Sequence, residues 1–174
     1  MTFNTSVFLF LSSVACFAAQ LQAQEDTARI DLELTLPNLQ AQPYHKPFVA
    51  VWLETTEREP LETLAIWYDD AEWLKDLRQW WRRLGRSQYA SGEFDGVSGA
   101  TKKPGTHPIR WQGKIPSQKA FLNIEVVREE GGRSYYRQPI EFLHAADYVV
   151  SGSHELGETR VRIRVAGDES IKDL

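Results

Sequence analysis

The sequence has little cysteine and few histidines, which limits the kinds of site that it can build. Among its 174 residues, Cys16 is the single cysteine, so that no disulfide can form within the chain. No two histidines have the spacing of a structural zinc or a typical copper site; they are His45, His107, His144 and His154. We therefore expect no metal site.

Charge is absent from the first 24 residues, and residues 7–19 are almost continuously apolar. A run of this length is too short to span a bilayer and is typical of the apolar region of a secretory signal. We predict a signal peptide over residues 1–23, cleaved near Ala23, and hence a periplasmic location. Processing as a lipoprotein at Cys16 stays open, and a buried N-terminal helix or strand is the structural alternative.

The charges of the remaining chain are nearly balanced. There are 20 Lys and Arg against 24 Asp and Glu, and the net charge is −4. Nucleic-acid binding needs a concentrated basic face, whereas the basic residues here are scattered or alternate with acidic ones. We expect no nucleic-acid partner, no polybasic membrane patch and no integral membrane protein.

Most of the chain after the signal has the alternation of β-strands. In residues 28–36, every second side chain from Ile30 onward is Ile or Leu and the side chains between them are polar, which indicates a half-buried strand. Residues 48–53 are apolar on both faces and predict a central strand. The other predicted strands are residues 61–68, 108–115, 120–128, 133–142 and 159–165, with a hairpin turn at Gly131-Gly132.

The last of these strands alternates Val161, Ile163 and Val165 with arginines, a pattern that favours an edge strand. About seven strands with turn signals at short intervals predict an all-β fold. We expect an immunoglobulin-like antiparallel β-sandwich that forms a single domain over residues 24–174.

One segment changes to a helical period and predicts a short amphipathic helix. Its apolar face consists of Trp73, Leu77, Trp80, Trp81 and Leu84. Asp69 is the expected N-cap, Glu72 completes a capping box, and Gly85 is the expected end. The tryptophans are interpreted as packing residues rather than as a cofactor site.

Residues 85–105 have no strong period and hold five of the eleven glycines. Long loops of this kind are often functional. Ser98 lacks the preceding glycine of a nucleophile elbow, and no βαβ unit surrounds the loop. With no plausible catalytic triad or pair of carboxylates either, we expect a protein that is not an enzyme.

Several segments of the chain resemble the DUF2271 family of predicted periplasmic proteins. The resemblance lies in residues 94–101, the Lys103-Pro104-Gly105 that follows, and residues 109–114, 123–129 and 135–137. It implies a periplasmic location, and it implies no particular activity.

The segment Asp95-Gly96-Val97-Ser98-Gly99-Ala100-Thr101 is also similar to the acceptor motif of periplasmic FAD:protein FMN transferases. In such acceptors the last threonine is joined by a phosphoester to FMN. The resemblance therefore implies that Thr101 is the attachment residue and that Asp95, Ser98, Gly99 and Ala100 are docking determinants.

A transferase supplies the base and the metal for this reaction, so the acceptor has only to present its hydroxyl. We expect Thr101 to be exposed on a pliant loop, where Gly96 and Gly99 permit unusual backbone angles. Lys102 is expected to steady the phosphodiester charge, and Trp111 or Tyr89 to offer an aromatic face to the isoalloxazine ring.

Two functions are compatible with these residues. The first is an electron carrier with covalent FMN, whose partners are the FAD:protein FMN transferase and a membrane or periplasmic redox protein. The second is a cofactor-free periplasmic binding or structural module, in which Asp95 only caps a turn.

Overall fold

The computed structural model describes residues 26–91 and 95–167. The predicted signal peptide, with Cys16 and the cleavage site near Ala23, lies outside the described residues. Within those two ranges, no helix combines the length and the apolar character needed to cross a bilayer.

The described residues form nine strands in two sheets. One sheet has the order β5-β1-β9-β8 and the other β4-β3-β2-β6-β7. Paired strands are antiparallel except β3 and β4, which are parallel. The strands are β1 (Thr27–Leu36), β2 (Phe48–Glu54), β3 (Pro60–Trp67), β4 (Ser98–Gly99), β5 (Gly105–Lys114), β6 (Lys119–Val127), β7 (Arg133–Glu141), β8 (Ala146–Val150) and β9 (Thr159–Val165). The predicted all-β sandwich is confirmed, with β4 and β8 in addition to the predicted strands.

Alternating side chains of β1 and one face of β2 supply much of the core between the sheets. Ile30 and Leu34 of β1 are fully buried there. All seven residues of β2 are buried, because Val49 faces the sandwich core while Trp52 on the other face packs under the helical segment. β2 lies between β3 and β6, which confirms the predicted central strand.

The helical segment covers the outer face of the five-stranded sheet. It consists of a 3₁₀-helix (Ala71–Asp76), an α-helix (Arg78–Trp80), a π-helical turn (Trp81–Gly85) and a second α-helix (Arg86–Ser91). Leu77 and Trp80 are fully buried, as predicted, but Trp73 is 39% exposed and Leu74 is buried instead. The difference arises because a 3₁₀-helix has three residues per turn, which changes the side chains that face the sheet.

The ends of the helical segment also differ from the prediction. The N-cap is Asp70 rather than Asp69, since Asp70 Oδ1 accepts a hydrogen bond of 2.9 Å from the backbone N–H of Glu72. The helix passes through Gly85 and continues to Ser91. A Cβ atom at Gly85 would lie 2.5 Å from the Trp80 ring, so glycine here makes room for the buried indole.

The predicted edge position of β9 is wrong, because β9 lies between β1 and β8. Its arginines do face outward, where they form ion pairs with neighbouring strands. Arg162 lies 3.2 Å from Glu33 of β1, and Arg164 lies 2.9 Å from Asp147 of β8. The edge strand β8 is short and only one of its residues is buried, so it has no clear period in the sequence.

Candidate functional site

The two-residue strand β4 fixes the motif loop to the end of β3. Ser98 pairs with Ile66 and Gly99 pairs with Trp67 in parallel register, and the backbone N–H of Tyr68 donates to the Gly99 carbonyl at 2.9 Å. Parallel strands advance in the same direction. The residues two positions after Trp67 and Gly99 are therefore brought together, and these are Asp69 and Thr101.

One carboxylate binds both polar groups of Thr101. The hydroxyl Oγ1 donates to Asp69 Oδ2 at 2.6 Å, and the backbone N–H donates to Asp69 Oδ1 at 3.3 Å. Thr101 itself is 5% exposed, while the Asp69 side chain is 55% exposed. The threonine hydroxyl is thus hydrogen-bonded to a side chain at the protein surface.

The expectation that Thr101 is exposed on a pliant loop is therefore wrong. The residue is buried, and the hydrogen bonds of β4 and of Asp69 hold the loop in place. Neither Gly96 nor Gly99 adopts a left-handed φ, whereas Gly105, at the start of β5, has a φ of 139°. The unusual backbone angle lies at the exit of the loop rather than within the motif.

Asp69 is held in its ionised form by these contacts. The hydrogen bond from the Thr101 hydroxyl is the largest cause that lowers the pKa of Asp69, and partial burial opposes it. The backbone N–H of Thr101 and the charge of Lys46 lower this pKa further; Lys46 Nζ lies 4.0 Å from Asp69 Oδ2. Hydrogen bonds to an ionised carboxylate are short and strong, as is the bond observed here.

The other motif residues form the surface beside Thr101. Asp95 begins a 3₁₀ turn (Asp95–Val97), and Ser98 Oγ donates to the Asp95 carbonyl at 3.0 Å. Asp95, Ser98 and Ala100 are exposed. Gly99 packs against Trp67, where an added Cβ would lie 3.5 Å from the indole. The predicted docking residues thus precede Thr101 along one loop, with Asp95, Ser98 and Ala100 exposed and Gly99 packed on Trp67.

Lys102 lies beside the same tryptophan. Its ammonium is 5.8 Å from the centroid of the Trp67 ring. The indole is 7% exposed, and the ring of His107 meets it edge-on at a centroid distance of 5.7 Å. Trp67 is therefore enclosed by its neighbours.

Trp111 is not brought to this loop. Its Nε1 donates to Glu62 Oε1 at 2.9 Å, and Glu62 lies near the start of β3, whereas Gly99 pairs with the last residue of that strand. Trp111 is also largely buried. Tyr89 is exposed and lies against Trp81, with a centroid distance of 5.9 Å.

Sequence reasoning missed the role of Asp69, which it interpreted as a helix cap. Asp69 and Thr101 are 32 positions apart, and their contact depends on a parallel pair of two residues that has no periodic signal. In residues 26–91 and 95–167, no group of three or more His, Cys, Asp or Glu is arranged to hold a metal ion.

A comparison with protein families shows which family the sequence matches. The sequence model described as "Predicted periplasmic protein (DUF2271)" matches residues 29–158, a range that includes the motif loop and Asp69. No curated protein matches the sequence. The family description agrees with the predicted periplasmic location. Since the match covers most of the chain, the protein belongs to the DUF2271 family of predicted periplasmic proteins.

Proposed function

We propose that the protein is a periplasmic electron carrier that holds FMN in phosphoester linkage to Thr101. One observation supports this function above the others. The hydroxyl that ends the Asp95–Thr101 motif is hydrogen-bonded at 2.6 Å to a carboxylate at the surface. Beside it, Ser98 and Ala100 are exposed, so that a docking enzyme can contact the loop directly.

The attachment reaction is a group transfer from FAD, and the chain is its substrate rather than its catalyst. A bond forms between Thr101 Oγ1 and the phosphorus of the FMN half. The pyrophosphate P–O bond of FAD breaks, AMP leaves, and the hydroxyl proton passes to the base of the FAD:protein FMN transferase. No electrons are exchanged in this step. The transferase supplies both the base and the metal that a weak threonine nucleophile needs.

Asp69 has two tasks in this scheme. Before the reaction, its carboxylate orients the hydroxyl of Thr101 through the short hydrogen bond. For the phosphoester to form, the carboxylate must turn away from Oγ1, because two negative groups repel each other. The Asp69 side chain is 55% exposed. The N-cap of the helical segment is the neighbouring Asp70, so rotation of Asp69 breaks no capping hydrogen bond.

The residues around Thr101 fit a phosphoester. The side chains immediately before it are small, at Ser98, Gly99 and Ala100. Lys102 and Lys103 follow directly, and Lys46 lies 4.0 Å from Asp69; these ammonium groups offset negative charge at the loop.

Bound FMN supplies reversible electron transfer, and the protein supplies attachment, shielding and local charge. The enclosed Trp67 gives the loop a rigid support through Gly99. The exposed residues Asp95, Gly96, Ser98 and Ala100 leave a surface for a redox partner after the transferase has left.

A cofactor-free binding or structural module is the second candidate, and the low exposure of Thr101 favours it. The two hydrogen bonds to Asp69 are also a sufficient reason for a buried threonine, because they pin the loop to β3. In that case the Asp95–Thr101 segment acts only as a shaped surface.

The absorbance spectrum of the protein purified from its native host separates the two candidates. The carrier is expected to be yellow, and the colour is expected to stay with the chain after denaturation and gel filtration. A colourless protein, or a colour that is lost on denaturation, contradicts covalent attachment and supports the cofactor-free module.

A further inference from the structure

A surface groove of about 450 Å³ opens next to the motif loop. It is lined by residues 38–42, Tyr44 and Lys46 from the connection between β1 and β2, and by Lys103 and Pro104 from the loop that follows Thr101. We propose that this groove is the seat of the isoalloxazine ring of the FMN attached to Thr101. This inference rests on the function proposed above.

The groove lies close to Thr101, the proposed point of attachment. Lys46 lines it, and its ammonium lies 4.0 Å from the Asp69 oxygen that accepts the Thr101 hydrogen bond. Lys103 also lines it and is two residues from Thr101, which places their Cα atoms at most about 7.6 Å apart. Thr101 does not itself line the groove, so a group bound to its Oγ1 reaches the groove past Lys46, which contacts Asp69.

The lining matches the two halves of a flavin ring system. One half is an apolar dimethylbenzene and the other is a pyrimidine edge with carbonyl and N–H groups. The groove offers Leu39, Ala41 and the ring of Tyr44 for the first, and the amide side chains of Asn38 and Gln40 for the second. Its volume lies within the ordinary range of small-molecule sites, which is about 300–1,000 Å³.

The charge of the groove is also of the expected sign. Lys46 and Lys103 line it, and none of the described residues that line it is acidic. Positive charge close to a flavin ring favours the reduced form, which carries more negative charge. The two lysines are therefore assigned a role in setting the reduction potential.

Trp67, which also lies near the attachment residue, is a poorer seat. Trp67 is 7% exposed, and both His107 and the Lys102 ammonium lie against its ring. Tyr44 is only half-buried and borders the groove. The Arg128 guanidinium lies 5.8 Å from the centroid of the Tyr44 ring, and Tyr44 is the aromatic side chain that lines the groove and can contact a tethered ring there.

Flavin fluorescence tests the seat on the flavinylated full chain, after intact mass has confirmed attachment. A tyrosine in contact with the ring quenches its emission by donating an electron to the excited state. Tyr44→Leu is expected to raise the emission per attached flavin several-fold. The matched control Tyr89→Leu removes an exposed tyrosine that does not line the groove and is expected to leave the emission unchanged.

The reduction potential provides the second readout. Lys46→Gln is expected to lower the midpoint potential of the attached flavin. Lys119→Gln, which removes an exposed lysine paired with Glu141 at 3.4 Å, is expected to leave it unchanged. Thermal unfolding of each variant verifies that the fold is kept.

The outcomes separate failure of FMN attachment at Thr101 from failure of ring binding in the groove. A wild-type chain that gains no FMN overturns the proposed function and the seat together. Full attachment with unchanged emission in Tyr44→Leu, and with equal potentials in the two lysine variants, overturns the seat alone.

Discussion

Asp69 accepts the hydroxyl hydrogen bond of Thr101 at 2.6 Å, and the same carboxylate accepts the backbone N–H of Thr101. The contact joins the end of β3 to the loop before β5. It exists because β4 runs parallel to β3 and places the two residues at equivalent positions beyond the pair Trp67 and Gly99. The proposed acceptor hydroxyl, on a residue that is 5% exposed, is thereby held in one orientation beside an exposed carboxylate.

A double-mutant cycle is expected to show that Asp69 and Thr101 stabilise the fold as a pair. Asp69→Ala and Thr101→Val should each lower the free energy of unfolding by about 1 kcal/mol, since a hydrogen bond of this kind is worth about that much at an exposed carboxylate. The double variant should lose little more than either single variant, because the second change removes a partner that is already unpaired.

The measurement is urea unfolding of the four proteins, with Asp95→Ala as the control for loss of another exposed aspartate. Strictly additive losses contradict the pairing of Asp69 with Thr101.

The stability that this contact contributes is expected to depend on pH. The pKa of Asp69 is lowered in the folded protein, chiefly by the Thr101 hydroxyl, from an unfolded value of about 3.9. A group of this kind contributes stability that is fully present above its unfolded pKa and is lost as the pH falls through its folded pKa.

The difference in unfolding free energy between wild type and Thr101→Val should therefore be constant from pH 7 to about pH 5 and shrink below about pH 4. Chemical unfolding at a series of pH values checks this. A difference that is unchanged down to pH 3 is the contrary result.

Docking of the transferase is expected to require the small exposed side chains of the motif. Ala100 is exposed beside the buried Thr101, so Ala100→Trp should leave the melting temperature nearly unchanged. The bulky ring should block the approach of an enzyme to the hydroxyl and reduce the fraction of flavinylated chain at least tenfold.

Intact mass and thermal unfolding of the same sample check both parts of this prediction. Thr106→Trp, at an exposed position at the start of β5, is the control for a new surface indole. Full modification of Ala100→Trp means that the transferase does not close around the loop.

Burial on one face explains which strands the sequence could predict. The leucines of β1 alternate because one face meets the core, and β2 is apolar throughout because both of its faces are covered. The strand β8 lacks this pattern because Val150 is its only buried residue. Leu74 was missed because the first helical turn is 3₁₀.

Only those residues of the candidate site that are contiguous in the sequence could be predicted. The motif residues 95–101 are contiguous, so a sequence similarity was enough to indicate them. Asp69 and Lys46 reach the loop through tertiary contacts, and no local pattern indicates these. Trp111 was assigned to the loop although alternation along β5 points it, with Ile109, toward the core.

Intact mass of the full chain, exported together with an FAD:protein FMN transferase, tests whether FMN is attached to Thr101. Wild type is expected to gain the mass of one FMN less one water. Thr101→Ser, which keeps a hydroxyl at this position, is the control for Thr101→Ala. Thr101→Ala is expected to gain no mass. An unmodified wild-type chain, or a gain that survives in Thr101→Ala, contradicts attachment at Thr101.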